Sequence, residues 1–186
     1  MKTQFDIKTL LEIGKINNEL DFERALIADR KLRVLSKDNP KYKTLRNKLK
    51  NLIEVYENEN WSSSSRVSEK KLRESDVAEL IAEKERLFIN KRKELIKIKL
   101  KQLNLKQQDF GIILGHSSKS YISELMNGIN PFSLKDLIII NRLLKIDLTN
   151  LVPTFLPQAE RVKIKSSIEK LENPKLKLSQ NDFALT

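Results

Sequence analysis

Cysteine is absent from the 186 residues, and histidine occurs once, as His116. The first absence excludes disulfides, thiolate nucleophiles and cysteine-based zinc sites. The second removes most imidazole catalysis and metal ligation, so no cofactor and no metal site is expected. Glycine (four) and proline (five) are scarce, and aromatics make up 6%. No apolar run exceeds four residues, as at Leu137-Ile138-Ile139-Ile140, far short of the roughly 20 that a membrane-spanning helix needs. Asp6, Glu12 and Glu19 interrupt the opening segment. A cleaved leader is therefore not expected, and the cytoplasm is the expected compartment.

Acidic charge is also in deficit, with 25 Asp and Glu against 36 Lys and Arg, a net charge of +11. The excess is uneven. Residues 86–153 hold twelve basic and five acidic groups (+7), against +3 for 1–61, −1 for 62–85 and +2 for 154–186. A basic excess concentrated in one third of a chain points to a polyanionic partner. At 21.7 kDa the chain has room for one ordinary domain or two small ones.

Helical spacing dominates, and the fold class is read as all-α. Tyr42, Leu45, Leu49, Leu52, Ile53 and Tyr56 fall on one helical stripe, and Phe22, Ala25, Leu26, Leu32 and Leu35 on a second. Lys37-Asp38-Asn39-Pro40 breaks the chain between them, because Pro40 drives Asn39 out of the helical region. A short helix around Ile7, Leu10 and Leu11 ends at Gly14. Residues 1–60 thus form a small helical unit built on an antiparallel hairpin. Alone it buries little apolar surface, so it requires a partner or a dimer mate. Trp61 caps the hairpin.

Ser62-Ser63-Ser64-Ser65 marks a linker, and 61–85 covers this linker and a charged helix. The helix formers from Ser68 to Lys101 make one bent helix or two, and Leu95, Ile96, Ile98, Leu100 and Leu103 supply one buried face near the end. A further helix is read over 157–171, with Val162, Ile168 and Leu171 on one side. Lys175 to Ser179 alternates like a short strand, or hangs disordered.

The specific pattern lies at 103–152. Lys106 to Leu114 is a short helix with Phe110, Ile113 and Leu114 inward. Gly115-His116-Ser117 is a turn. Ser118 to Asn127 is a second short helix with Ile122, Leu125 and Met126 inward, closed by Gly128 as a left-handed cap. Small Gly111 lets the two helices cross closely. Ser133 caps a following helix through Leu137 and Leu144, and Asp147 to Val152 makes a last turn. Two short helices joined by a tight glycine-containing turn after a basic helix constitute a helix-turn-helix. Gly115-His116-Ser117-Ser118-Lys119-Ser120 superficially matches a phosphate-binding loop. It follows a helix rather than a strand and lacks the glycine before lysine.

At these residues the chain resembles the Cro/repressor (XRE-type) helix-turn-helix family, and more narrowly the HigA-type antitoxins. Ser118-Lys119-Ser120-Tyr121-Ile122-Ser123-Glu124-Leu125-Met126-Asn127-Gly128, then Phe132-Ser133-Leu134, carries the resemblance. Upstream, Ile16-Asn17-Asn18-Glu19, Phe22, Ala25-Leu26, Asp38-Asn39-Pro40, Leu49, Ile53 and Tyr56-Glu57 follow the order of the longer HigA members. The likeness is strong over 103–152 and moderate over 15–60, and it leaves 154–186 outside as a C-terminal extension. Two features depart from the pattern. Ile129-Asn130-Pro131 stands where the family often carries basic residues, and one residue is inserted at His116-Ser117.

The resemblance implies a five-helix lambda-repressor-like domain over 86–153. It implies an antitoxin of a HigBA-like pair that represses its own operon and neutralises a HigB-like mRNA-endonuclease toxin. The partners would be operator DNA, that toxin and a second copy in a homodimer, with 1–60 binding toxin or holding the dimer. A helix fits the major groove with its outward N-terminal side chains on base edges. The candidate DNA-binding residues are therefore Ser118, Lys119, Ser120 and Tyr121, with Asn127, and with Gln107 and Lys106 at phosphates. Lys91, Arg92, Lys97, Lys99 and Lys101 would add the salt-sensitive part. Glu124 would repel phosphates if it faced them. The alternatives are a stand-alone regulator without a toxin, and a helix-turn-helix used for protein interaction. An enzyme, such as a nuclease, finds no cluster of carboxylates and histidine to support it.

Overall fold

Every regular element among the described residues is a helix; the computed structural model describes residues 5–37, 39–63, 67–153, 156, 158–173 and 175–176. The helices are α1 (Ile7–Ile13), α2 (Glu19–Leu35), α3 (Pro40–Asn60), α4 (Glu69–Gln102), α5 (Gln107–Leu114), α6 (Lys119–Asn127), α7 (Leu134–Leu144) and α8 (Gln158–Lys170), with a 3₁₀ turn at Leu148–Asn150. The chain divides into two compact units, 1–152 and 153–186.

Side-chain caps fix the starts of the helices. Asp6, Asn18, Asn39, Ser68, Ser118 and Ser133 each accept a hydrogen bond from a backbone amide of the following turn, satisfying donors that no helical carbonyl reaches. Pro40 occupies the first turn of α3, where its missing N–H is not needed. Gly14, Gly115 and Gly128 end α1, α5 and α6 with φ of 71°, 81° and 69°, conformations that strain any side chain.

The first unit has two apolar cores. The N-terminal one joins Ile7, Leu10, Phe22, Ala25, Leu32, Tyr42, Leu49, Ile53 and Tyr56, with Phe22 and Tyr56 stacked at 4.9 Å. Trp61 packs against it, with the Lys71 ammonium over its ring. The second core joins Ile96 and Leu100 of α4 to Phe110, Leu114, Ile122, Leu125, Met126, Phe132, Leu137, Ile140, Leu144, Ile146 and Leu151.

One continuous helix, α4, serves both. Its 34 residues span about 50 Å at the α-helical rise. Its buried positions, Ala78, Ile81, Ala82, Ile89, Arg92, Ile96 and Leu100, follow three-and-four spacing along a single face. The first half packs on α2, where Arg24 pairs with Glu85; the second half forms a wall of the C-terminal core. The partner that residues 1–60 require is therefore supplied by the same chain.

Three expectations change. Ile113 is 41% exposed, because α5 buries the stripe Phe110, Gly111 and Leu114 and Ile113 lies about 100° off its centre. Ile98 and Leu103 are about half exposed, leaving Ile96 and Leu100 as the buried face. Arg92 is 4% exposed, donates to the Leu151 carbonyl at 3.0 Å and lies 5.1 Å from the Phe132 ring. It is a core cation that ties α4 to the domain's last turn, not a phosphate contact. Burial pulls its guanidinium down to about 10. In the second unit α8 runs through Gln158–Lys170, with Val162 and Leu171 exposed. The strand-like residues Lys177 to Ser179 lie outside the described set.

Candidate nucleic-acid interface

The crossing of α5 and α6 rests on Gly111. A Cβ there would lie 2.6 Å from Ile122 Cγ1 and 3.0 Å from the His116 carbonyl, so only hydrogen lets the helices meet this closely. His116 does more than turn the chain. Its Nε2 lies 3.0 Å from Asp136 Oδ1, and its ring meets Tyr121 edge-on at 5.0 Å. Asp136 also accepts from the Ser133 amide and hydroxyl. The connection between α5 and α6 is thereby pinned to the start of α7.

This frame presents the start of α6 to solvent. Ser118 and Lys119 are exposed, and the Ser118 hydroxyl oxygen accepts from the Tyr121 amide at 3.3 Å. Lys106 and Gln107 are exposed at the start of α5, where Asp109 accepts from the Lys106 amide. They share a cleft of about 340 Å³ with Lys97 and Lys101 of α4, so α4 cations and an α5 helix start converge as a phosphate would require. Lys91 is exposed and Lys99 half-buried.

The remaining candidates are partly covered by the rest of the unit. Tyr121 is half-buried, with the Lys8 ammonium 5.7 Å from its ring centre, and burial with Asp136, Glu124 and Asp6 pushes its phenol up. Ser120 is half-buried, its carbonyl accepting from the Tyr42 hydroxyl at 3.3 Å. Asn127 donates to the Ser123 carbonyl and accepts from Lys93 at 2.7 Å, while its backbone carbonyl takes a bond from Lys31. Lys31 is surrounded by burial and by Arg86, Lys93 and Arg92, which together pull its ammonium down to about 8. Glu124 is 2% exposed, pairing with Lys41 at 3.1 Å and accepting from Asn130 at 2.5 Å. Sequence reading singled out Glu124 for its charge, but its partners, 83 residues upstream and six downstream, carry no local signal.

An exposed helix start on a glycine-spaced helix pair, inside a core built by α4 to α7 and flanked by lysines, defines a helix-turn-helix domain. Residues 96–151, under a third of the chain, match the helix-turn-helix family. They form a domain of the Cro/C1 (XRE) type. No curated protein and no solved structure matches the chain. Among the described residues no helix is long and apolar enough to cross a membrane.

Proposed function

We propose that the protein is a sequence-specific regulator that binds duplex DNA through α6 and represses the operon encoding it. The observation that supports this best is the pairing of an exposed Ser118-Lys119 start, held by the Gly111–Ile122 crossing, with the Lys97, Lys101, Lys106 and Gln107 cleft. Lys119 donates to guanine O6 and N7, Ser118 and Ser120 hydrogen-bond base edges, and Lys106 and Gln107 hold phosphates. One domain offers a thin reading set, so a homodimer on a two-part operator is the binding form.

Within that reading, the likeness of residues 15–60 to the longer HigA members supports the role of antitoxin to a HigB-like endonuclease. The α1–α3 surface is then the toxin-binding part. A duplex carrying the region upstream of the protein's own gene should be retained by the purified full chain, with affinity falling steeply as salt rises. Co-expression with the neighbouring reading frame should yield a copurifying complex. Retention of the duplex without copurification leaves a stand-alone regulator; loss of both refutes the proposal.

A further inference from the structure

Helix geometry says which residues of α6 should face away from the domain. Ile122, Leu125 and Met126 point into the core. At about 100° per residue, Ser120, Glu124 and Asn127 lie on the opposite side. In a helix laid into a major groove this is the stripe turned to the bases. Here it is the stripe that is covered. Glu124, nearly opposite the core, is 2% exposed, and Ser120 and Asn127 are half-buried.

The cover comes from the N-terminal helices. Lys41, in the first turn of α3, reaches the Glu124 carboxylate, and the adjacent Tyr42 donates to the Ser120 carbonyl. Burial and the nearby Glu124 push the Tyr42 phenol up to about 12, so it stays a donor across the physiological range. Lys31 of α2 holds the Asn127 carbonyl. Ile129, just past the α6 cap, is 1% exposed and belongs to the N-terminal core, while Asn130 completes the shell around Glu124. This accounts for one departure from the family pattern, Ile129 in the loop after α6. It and the acid on the outward face, Glu124, both serve the α1–α3 contact and neither serves a phosphate.

We infer that α1–α3 is a latch on the reading face of α6, and that operator DNA binds only the form from which this latch has lifted. The inference rests on the proposed DNA-binding function. The contact has the composition of a switch. A carboxylate taken out of water is compensated by one largely exposed lysine, one amide and the Tyr42 hydroxyl, so the polar contacts add little to closure, and the buried Ile129 keeps the open form a minor population. Apparent DNA affinity is then the intrinsic affinity scaled by the open fraction. By linkage, any ligand of α1–α3 that displaces α6 strengthens DNA binding, and DNA strengthens that ligand.

Lys41→Glu in the full chain tests the latch. An acid in the first turn of α3 suits the helix dipole, so its conflict is with Glu124 across the contact. It also lowers the protein's positive charge, which by itself weakens attachment to DNA. The latch predicts the opposite sign: about tenfold tighter binding to the duplex from upstream of the gene, one decade per 1.4 kcal/mol of opening. Tyr42→Phe keeps the buried ring, removes the hydroxyl's bonds to Ser120 and Glu124, and should tighten binding two- to threefold. Both variants are checked for retained helix content and cooperative unfolding, and Lys119→Ala is measured in each background. Tighter binding that Lys119→Ala abolishes supports the latch. Unchanged or weaker binding by both folded variants, with Lys119→Ala still damaging the parent, overturns the latch and leaves the DNA-binding function standing. If neither parent nor variants retain the duplex, both fall.

Discussion

The two cores of the first unit are built differently. The C-terminal core closes on itself: every member lies between Ile96 and Leu151, and its helices are set by capping contacts a few residues apart. The N-terminal core does not close. It takes Ile129 from the other domain's loop and rests on the first half of α4. A self-contained core can be recognised from its own segment. An open core is completed by residues far along the chain, and its position is a long-range result.

The sharpest way to break that contrast is to truncate the shared residue. Ile129→Ala should destabilise the protein by about 2–5 kcal/mol, as buried Ile-to-Ala changes do. Denaturant unfolding measures the loss. Amide exchange should show it first in α1–α3 rather than in α5 and α6, although position 129 belongs to the helix-turn-helix segment. Equal loosening of both cores would show that the N-terminal core does not depend on its borrowed residue. Gly111→Ala probes the opposite case, a contact internal to the closed core. The added Cβ meets Ile122 and the His116 carbonyl, and overpacking of this kind costs about 1–3 kcal/mol. Its signature is a lower unfolding midpoint, with α5 and α6 loosened and α1 unaffected.

The smallest effect concerns the cations where α2 and α4 meet the end of α6. Lys31 has a folded-state value of about 8 against an ordinary 10.5. The native state therefore loses this proton first, and the unfolded state binds more protons between those values. Stability should rise with pH from about 8 to 10.5. In Lys31→Met that rise should shrink when unfolding is followed over the same window. An unchanged slope would place the effect on another group, such as the half-buried Lys93.

Much of the fold was legible in local chemistry. Asn39-Pro40, Ser133 and the glycines after α1 and α6 mark their boundaries because caps act within one turn. Gly111 was legible as a close crossing. The unbroken run of α4 was not, because its buried stripe contains Ala78, Ala82 and Arg92, which give little apolar contrast. Ile113 was misplaced because Phe110, Ile112, Ile113 and Leu114, four apolar residues crowded into one short helix, leave the inward direction undetermined. In the candidate interface, the exposed Lys119, Ser118, Lys106 and Gln107 follow from position on their helices. The covering of Ser120 and Glu124 does not, since Lys41 and Tyr42 lie about 80 residues away.

The proposed reading of DNA by the first turn of α6 stands or falls on one titration. Full-length parent and Lys119→Ala are each titrated with the duplex from upstream of the gene and with a scrambled duplex of equal length. Lys119→Ala should weaken binding to the natural duplex by about 1–3 kcal/mol and narrow the gap between the two duplexes. Parent and variant binding both duplexes alike would contradict it.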